Sequence, residues 1–382
     1  MKRETREYNY DWMMWTIVEN AAAAFDGSRK EYETLLRFIP NFRDSLDAIV
    51  RQGEPGVLLI KLMAKYLRNC INAPRQGKKT ALTTFCFAPP VLYAFDVVPV
   101  VLEPMTVMGT FILQRGTAEY LDYCCEAGFT ETSCSSQRGA LGAYLAGLAV
   151  RPDFIICDSP GICDTNANSY SFASAYLGIP FYQLNYPSTL TGSRATDYHR
   201  QDFRGLVAFL EEQTGTALDI ERFRQVIAEM RKQSVLISEF NELQRIVPSP
   251  VPGIFNLFLY SGNFLMGGTE DFTSLLESML KTVRQNAAQG RAGTLSGRER
   301  ARVLFLHRSL HHEFEVLVVP GEARHLASGM HPEHVLAGER TIQRRPARFR
   351  VPGERRRSRR HDRLPGPAGV ADAHGEVHPG PL

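Results

Sequence analysis

The sequence has no hydrophobic run long enough to span a membrane. Its best candidate stretch, Phe95 to Leu113, is interrupted by Asp96, Pro99, Glu103 and Pro104, whereas a spanning helix needs about 20 mostly apolar residues. The first seven positions are rich in charge and no apolar segment follows them, so the N-terminus does not resemble a secretory signal. We therefore expect a cytoplasmic protein with no membrane contact.

Signature motifs of several enzyme classes are missing as well. No Gly-x-Gly-x-x-Gly follows a predicted strand and no Gly-x-Ser-x-Gly occurs, which leaves dinucleotide-binding and serine-hydrolase functions without support. Gly77-Lys78-Lys79-Thr80 lacks the upstream glycine, and the Ser or Thr directly after the first lysine, that a phosphate loop requires. There is no Cys-x-x-Cys, and nine of the ten histidines lie after residue 300, which disfavours a zinc finger.

Lysine, asparagine, tyrosine and cysteine all disappear before the last quarter of the chain. The final examples are Lys281, Asn286, Tyr260 and Cys163. Residues after 300 contain 14 arginines, no lysine and nine acids, while the first 300 residues contain 30 basic and 32 acidic side chains. The net charge of +3 therefore belongs to the C-terminal segment alone, and a folded basic patch for nucleic acid is not expected.

The composition of that C-terminal segment differs from that of an ordinary folded domain. It consists largely of Arg, Pro, Gly, Ala and His, as in residues 344–348 and 355–360. Since these residues have G/C-rich codons, we hypothesise that a GC-rich gene is read out of frame from somewhere around residues 307–325. The alternative is a genuine disordered basic arm that binds nucleic acid or an acidic partner. An uninterrupted reading frame on resequencing would exclude the frameshift.

What is present is the composition of a soluble globular protein. Hydrophobic residues make up 44% and charged residues 22% of the 382 positions, and the length predicts two to three domains. We expect five regions. They are a helical N-terminal region (1–75), a first α/β domain that carries two cysteines of interest discussed below (76–200), a helical segment (201–290), the start of a truncated second α/β domain (291–312) and an aberrant Arg-rich tail (313–382), disordered or frameshifted.

Short apolar segments alternate with helical patterns in the second of these regions. Strands are predicted at Val97–Leu102, Phe154–Cys157 and Phe181–Leu184, and helices at Ser133–Leu148 and Ser169–Leu177. This alternation predicts an α/β fold with a parallel sheet flanked by helices. Ligands in such folds bind beyond the carboxyl ends of the strands.

Two of the seven cysteines stand out by position. Cys134 begins a predicted helix, whose N-terminus stabilises a thiolate, and Cys163 lies in the loop after the strand Phe154–Cys157. Both are expected at the carboxyl edge of the sheet, where two thiolates could hold a metal or an iron–sulfur cluster; plain loop cysteines are the alternative. Of the other five, Cys70, Cys86 and Cys157 are predicted to be core residues, and Cys124-Cys125 to lie on a helix with diverging side chains.

Taken in order, the motifs of residues 75–307 resemble those of one family: the D-component subunits of 2-hydroxyacyl-CoA dehydratases and the related benzoyl-CoA reductase subunits. The matching motifs are Phe87-Ala88-Pro89-Pro90, Asp96-Val97-Val98-Pro99-Val100, Cys134-Ser135 with Arg138, Arg151-Pro152-Asp153-Phe154-Ile155-Ile156, Cys163-Asp164, Ile179-Pro180 and Arg302-Val303-Leu304-Phe305.

The resemblance implies a [4Fe–4S] cluster held by three cysteines per subunit. Cys134 and Cys163 fall on two of these positions, and the third position, in the second domain, has no match because no cysteine follows Cys163. Ser135 and Arg138, at the same helix start as Cys134, are implied contacts of substrate or cluster. No catalytic residue is assigned.

The implied function is that of a subunit of a cytoplasmic lyase of anaerobic metabolism, a 2-hydroxyacyl-CoA dehydratase. It eliminates water from a 2-hydroxyacyl-CoA thioester by a one-electron ketyl-radical mechanism. The implied partners are a homologous second subunit in a heterodimer, an ATP-dependent activator iron–sulfur protein and the acyl-CoA substrate. The alternatives are a subunit of a benzoyl-CoA-type acyl-CoA reductase, or a cluster-free pseudo-subunit or interaction protein. Loss of the C-terminal domain would leave this chain inactive.

Overall fold

The computed structural model describes residues 10–25, 33, 37, 40–85, 87, 90–113, 116–158, 163–186 and 191–300. The motif Arg302-Val303-Leu304-Phe305, most of the expected start of a second α/β domain (291–312) and the Arg-rich tail lie outside these residues, as does Cys86. Among the helices described, none combines the length and apolar character that crossing a membrane requires.

The N-terminal region is helical. It contains α1 (Tyr10–Ala24), α2 (Pro40–Val50) and α3 (Glu54–Asn72). Gly53, at a φ of 73°, allows the turn that starts α3, and Pro55 occupies its first turn, where no backbone donor is needed. Helices α1 and α3 pack together through buried side chains that include Met14 and Leu67.

A four-stranded parallel sheet follows, with the strand order β2-β1-β3-β4. Its strands are β1 (Thr80–Thr83), β2 (Val98–Val101), β3 (Phe154–Asp158) and β4 (Phe181–Leu184). The predicted α/β fold with a helix-flanked parallel sheet is confirmed. Strand β1 was not predicted, because four residues between a polar linker and an aromatic loop give too short a pattern to recognise.

Five helices belong to the crossovers between strands. They are α4 (Pro90–Ala94), α5 (Leu102–Ile112), α6 (Ala118–Glu126), α7 (Ser135–Leu145) and α8 (Asp164–Leu177). Helix α7 lies inside the predicted range, whereas α8 begins five residues earlier than predicted, directly after Cys163. The polar first turn of α8 hides the helical pattern from a hydrophobic reading.

The remaining described helices are α9 (Ser193–Thr214), α10 (Ile220–Gln244), α11 (Phe255–Met266) and α12 (Glu270–Ala288). Gly215, at a φ of 70°, ends α9, and the Asp219 side chain caps α10 by accepting from Arg222 N. Thr269 caps α12 in the same way, by accepting from Phe272 N, as its sequence predicts.

Both faces of the sheet are buried. Leu82, Ile155 and Cys157 face one cluster, which includes side chains of α5, α7 and α8. Ala81 and Ile156 face the other, which includes side chains of α4 and α9. Strands β1 and β3 are buried along their whole length, whereas most of β4 is partly exposed. Several buried polar groups lie at the carboxyl edge of the sheet, and they are described next.

Candidate functional site

Cys134 is the residue from which α7 starts. Its backbone is outside the helix, at a φ of −57° and a ψ of 120°, and its carbonyl accepts from Arg138 N. The residue is partly exposed and Ser135, the first helical residue, is exposed. The first-turn amides and the positive end of the helix dipole lie beside Cys134.

Cys163 stands in the equivalent position at the start of α8. Its backbone is extended and its carbonyl accepts from Ala167 N. The residue is partly exposed, and residues 159–162, between β3 and Cys163, lie outside the described residues.

The two helix starts lie at the same edge of the sheet. Helix α7 leads into β3 and α8 leads out of it, so both run opposite to the strand, and the two helices pack against each other. Cys134 and Cys163 are therefore both at the carboxyl edge, where the sequence places them. Their service as cluster ligands remains a prediction.

Arg138 is buried within the loop that leads to Cys134. Its Nε donates to Ser133 O at 3.1 Å, its Nη2 to Glu131 O at 2.9 Å, and its Nη1 contacts Cys125 Sγ at 3.2 Å. The guanidinium thus ties the segment before Cys134 to helices α6 and α7. Contact of Arg138 or Ser135 with substrate or cluster remains a prediction.

Three other cysteines are buried thiols. Burial raises the pKa of Cys124 to about 12 and raises the pKa values of Cys70 and Cys157 strongly, so all three stay protonated. Within the described part of the chain, no group of three or more His, Cys, Asp and Glu side chains is placed to hold a metal ion. The described residues therefore supply two thiols suited to a cluster and no complete ligand set.

The carboxyl edge also holds a buried polar network that the sequence reasoning did not identify. Glu103, in the first turn of α5, accepts at Oε2 from Phe85 N at 3.0 Å and is hydrogen-bonded by Thr84. Asn166, in the first turn of α8, donates from Nδ2 to Thr84 Oγ1 at 2.8 Å. Glu103, Thr84 and Asn166 are each at least 96% buried. This chain of bonds connects the ends of β1 and β2 to the helix that starts at Cys163.

Asp158, the last residue of β3, completes the set of buried carboxyls at this edge. Its Oδ2 lies 3.4 Å from Tyr186 Oη, and the Tyr186 ring stacks on His199 with ring centroids 5.3 Å apart. His199 is the one histidine before residue 300. The sequence alone gives no reason to separate Asp158 from an ordinary carboxylate at the end of a strand.

Burial sets the electrostatics of both carboxyls. It raises the pKa of Glu103 to about 7, opposed by the hydrogen bonds from Phe85 N and Thr84 and reinforced by the charge of Asp158. It raises the pKa of Asp158 to about 6, opposed by the hydrogen bond from Tyr186. Perturbed carboxyls of this kind are common where proteins do acid–base chemistry.

Several buried oxygens of this region have no hydrogen-bond partner among the described residues: Thr83 Oγ1, Glu103 Oε1, Asp158 Oδ1, Asn166 Oδ1 and Ser169 Oγ. Most buried polar atoms in folded proteins are paired, because an unpaired one costs about 1–3 kcal/mol. Such a concentration at the edge where α/β proteins bind ligands marks this region as the candidate site.

One sequence comparison bears on this site. The sequence profile described as "2-hydroxyglutaryl-CoA dehydratase, D-component" matches residues 85–319, which is more than half of the chain. The matched range contains both carboxyls and both partly exposed edge cysteines. A search of curated proteins gave no match.

Proposed function

The chain belongs to the 2-hydroxyglutaryl-CoA dehydratase D-component family, and on that premise we propose that it is a subunit of a 2-hydroxyacyl-CoA dehydratase. Such an enzyme is a lyase that eliminates water from a 2-hydroxyacyl-CoA thioester. The observation that carries the proposal is the carboxyl edge itself, where Cys134 and Cys163 start adjacent helices beside buried carboxyls.

The cofactor proposed for this edge is a [4Fe–4S] cluster, and the donor set of this chain fits it incompletely. Cys134 and Cys163 are partly exposed thiols at helix N-termini, which suits ligation by thiolates. Cys125, the other partly exposed described thiol, is hydrogen-bonded by Arg138, and no cysteine follows Cys163. The one-electron ketyl-radical route is proposed for the assembled enzyme, and the described residues of this chain do not by themselves supply a complete cluster site.

The proposed partners follow from the family. They are a homologous second subunit, an ATP-dependent activator iron–sulfur protein and an acyl-CoA substrate, in the cytoplasm of an anaerobic cell. The missing third cysteine favours a second candidate function, that of a cluster-free pseudo-subunit which binds its partner without carrying its own redox centre.

Iron and sulfide analysis tests the first proposal against the second. The full chain is purified and reconstituted anaerobically, and bound iron and sulfide are counted alone and with the partner subunit present. Cluster binding predicts about four irons per chain, with a marked loss in Cys134→Ser and in Cys163→Ser. The control Cys125→Ser changes a partly exposed thiol on α6 and should keep the wild-type count. Absence of iron from the reconstituted wild-type chain would support the pseudo-subunit.

Turnover tests the reaction class. The reconstituted chain, its partner subunit and the activator are assayed with a 2-hydroxyacyl-CoA and, separately, with an aromatic acyl-CoA. Enoyl-CoA formation from the first substrate supports a dehydratase, whereas reduction of the second without dehydration of the first would replace it with a reductase.

A further inference from the structure

A cavity of about 210 Å³ lies at the amino edge of the sheet, opposite the edge that holds Cys134 and Cys163. Its lining includes Lys78, two residues before β1, and Val98, the first residue of β2. The other walls come from α3, the start of α10 and the junction between α11 and α12. The proposed function uses none of these groups, so the cavity requires an explanation of its own.

The inner wall of this cavity is apolar. Leu62 and Leu265 line it and are 7% and 1% exposed. Two tyrosines also line it, and their hydroxyls are already engaged: Tyr66 Oη accepts from Val101 N at 2.8 Å, and Tyr93 Oη donates to Leu265 O at 3.0 Å. The tyrosines therefore add ring surface to the wall, which suits an apolar group of a ligand.

The rim of the cavity carries an excess of positive charge. Asp96 Oδ1 accepts from Lys78 Nζ and from Arg222 Nη2, each at 2.9 Å, and Lys65 Nζ lies 2.7 Å from Asp271 Oδ2. Three cations thus face two carboxylates, and these five side chains are 32–53% exposed, so the rim is open to solvent. Within the described part of the chain, Arg222 Nε and Nη1 donate no hydrogen bond. The guanidinium therefore has donors to offer to an anion.

Asp96 has a backbone conformation that favours glycine. Its φ of 55° makes it the one residue other than glycine with a positive φ among the described residues. It follows the end of α4, where its N donates to Tyr93 O at 3.2 Å. Glycine is the usual residue at such a helix end, because it adopts the left-handed conformation without strain. An aspartate here keeps a carboxylate at the cavity rim at a conformational cost, a combination that is common at ligand sites.

We propose that this cavity binds a small aliphatic carboxylate, whose charged group contacts Arg222 and Lys78 and whose chain lies against the apolar wall. At roughly 30 Å³ per molecule the cavity has room for about seven waters, which suits an acid of about four to six carbons. Drug-sized ligands fill pockets of about 300–1,000 Å³, so a coenzyme does not fit. The net excess of one positive charge and the apolar wall together favour a monoanion with a hydrocarbon chain over inorganic phosphate.

Calorimetric titration of the full chain with pentanoate tests the site. We expect saturable binding of one pentanoate per chain with a dissociation constant of about 1 mM or lower, within the range for about seven non-hydrogen atoms. Inorganic phosphate offers the charge without the chain, and pentan-1-ol offers the chain without the charge. Both should bind more weakly than pentanoate. Pentanoate should also raise the unfolding temperature, since it binds the folded chain.

Two substitutions should change pentanoate binding in opposite directions. Arg222→Met removes the guanidinium and should weaken binding by about tenfold. Asp96→Asn removes the carboxylate that competes for the same cations, and asparagine tolerates a positive φ, so binding should become about threefold tighter. Arg224→Met is the control, because this arginine of α10 is paired with Glu221 at 3.7 Å and does not line the cavity. It should leave binding unchanged.

The outcomes decide the proposal without any activity. Absence of saturable pentanoate binding in both the wild type and Asp96→Asn overturns it. Equal weakening in Arg222→Met and Arg224→Met shows a general charge effect and overturns it as well, and phosphate that binds as tightly as pentanoate overturns the role of the apolar wall. Circular dichroism verifies folding, and the gain in Asp96→Asn keeps the test decisive if Arg222→Met does not fold. None of these results depends on whether the chain is a dehydratase subunit.

Discussion

Glu103 shows how one buried residue couples the stability of this chain to pH. Its usual pKa is 4.5, whereas burial raises the pKa in the folded chain to about 7. Between these values the folded chain retains a proton that the unfolded chain has released, so the free energy of unfolding falls as pH rises through this window. At about 1.4 kcal/mol per pKa unit, the loss is on the order of 3 kcal/mol. Asp158 acts in the same direction between 3.8 and about 6.

The variant Glu103→Gln should remove much of this dependence, since the amide carries no charge to bury. We expect the wild-type chain to be less stable at pH 8 than at pH 5, and the difference to shrink by about 2–3 kcal/mol in the variant. Urea unfolding at both pH values measures it, with the exposed Glu126→Gln as control. Equal pH dependence in wild type and Glu103→Gln would show that the carboxyl ionises freely in the folded chain.

Arg138 supports a second residue-scale prediction. Its three contacts need the planar guanidinium fork, which a lysine ammonium does not reproduce. We expect Arg138→Lys to lower the free energy of unfolding by about 1–2 kcal/mol, since three partly buried acceptors lose a well-placed donor. Thermal unfolding measures this loss. Arg151→Lys, at an exposed site where the guanidinium donates to Leu177 O, is the control and should cost less than 1 kcal/mol. Equal losses in the two variants would contradict a special role for Arg138.

At the scale of elements, the sequence predicted those helices and strands that have a regular hydrophobic period or a short apolar run. The runs Phe154–Cys157 and Phe181–Leu184 became β3 and β4. The sequence did not predict β1 or the first turn of α8, since the former is short and the latter is polar. For the same reason Asn166 remained hidden: its burial depends on a helix start that no hydrophobic pattern indicates.

The contact between α6 and α7 depends on glycine. A Cβ at Gly142 would lie 2.1 Å from Tyr120 O, a backbone atom of α6, while one at Gly139 would meet only side-chain atoms of Thr106 and Thr117. Because a backbone moves only with its helix, Gly142→Ala should lower the free energy of unfolding by about 3 kcal/mol or more, beyond the usual cost of overpacking. Gly139→Ala should cost less, since threonine side chains adjust.

Urea unfolding of the two glycine variants ranks them, and Ser136→Ala in the first turn of α7 serves as the reference. A larger loss for Gly139→Ala than for Gly142→Ala would mean that α6 shifts easily and that the close approach at Tyr120 does not limit the contact between α6 and α7.

At the scale of the whole molecule, the sequence predicted the fold class and the edge at which the two cysteines lie, because both follow from strand and helix order. It did not predict the buried carboxyls: a glutamate after an apolar run is compatible with a solvated helix start. Only the enclosure of the sheet on both faces turns Glu103 into a buried acid. No cysteine follows Cys163, so the sequence offers no third thiol after the two at this edge.

The C-terminal limit of the folded part of this chain can be tested by truncation. The family match ends at residue 319, and the sequence beyond it is dominated by Arg, Pro, Gly, Ala and His, with few apolar side chains to offset the entropy of ordering. We propose that these residues do not contribute to the fold. A chain ending at residue 319 should therefore unfold at the same temperature as the full chain and bind the same iron.

A chain that ends at Ala288 is the matched comparison, because it removes residues with observed contacts. Ala292 is buried and Gly293 N donates to Ser249 O at 2.8 Å, so this shorter chain should unfold at a lower temperature than the one ending at residue 319. If truncation at 319 instead lowers the unfolding temperature, the arginine-rich segment contributes to the fold, against this prediction. Resequencing the gene decides separately between a frameshift and a genuine disordered basic arm.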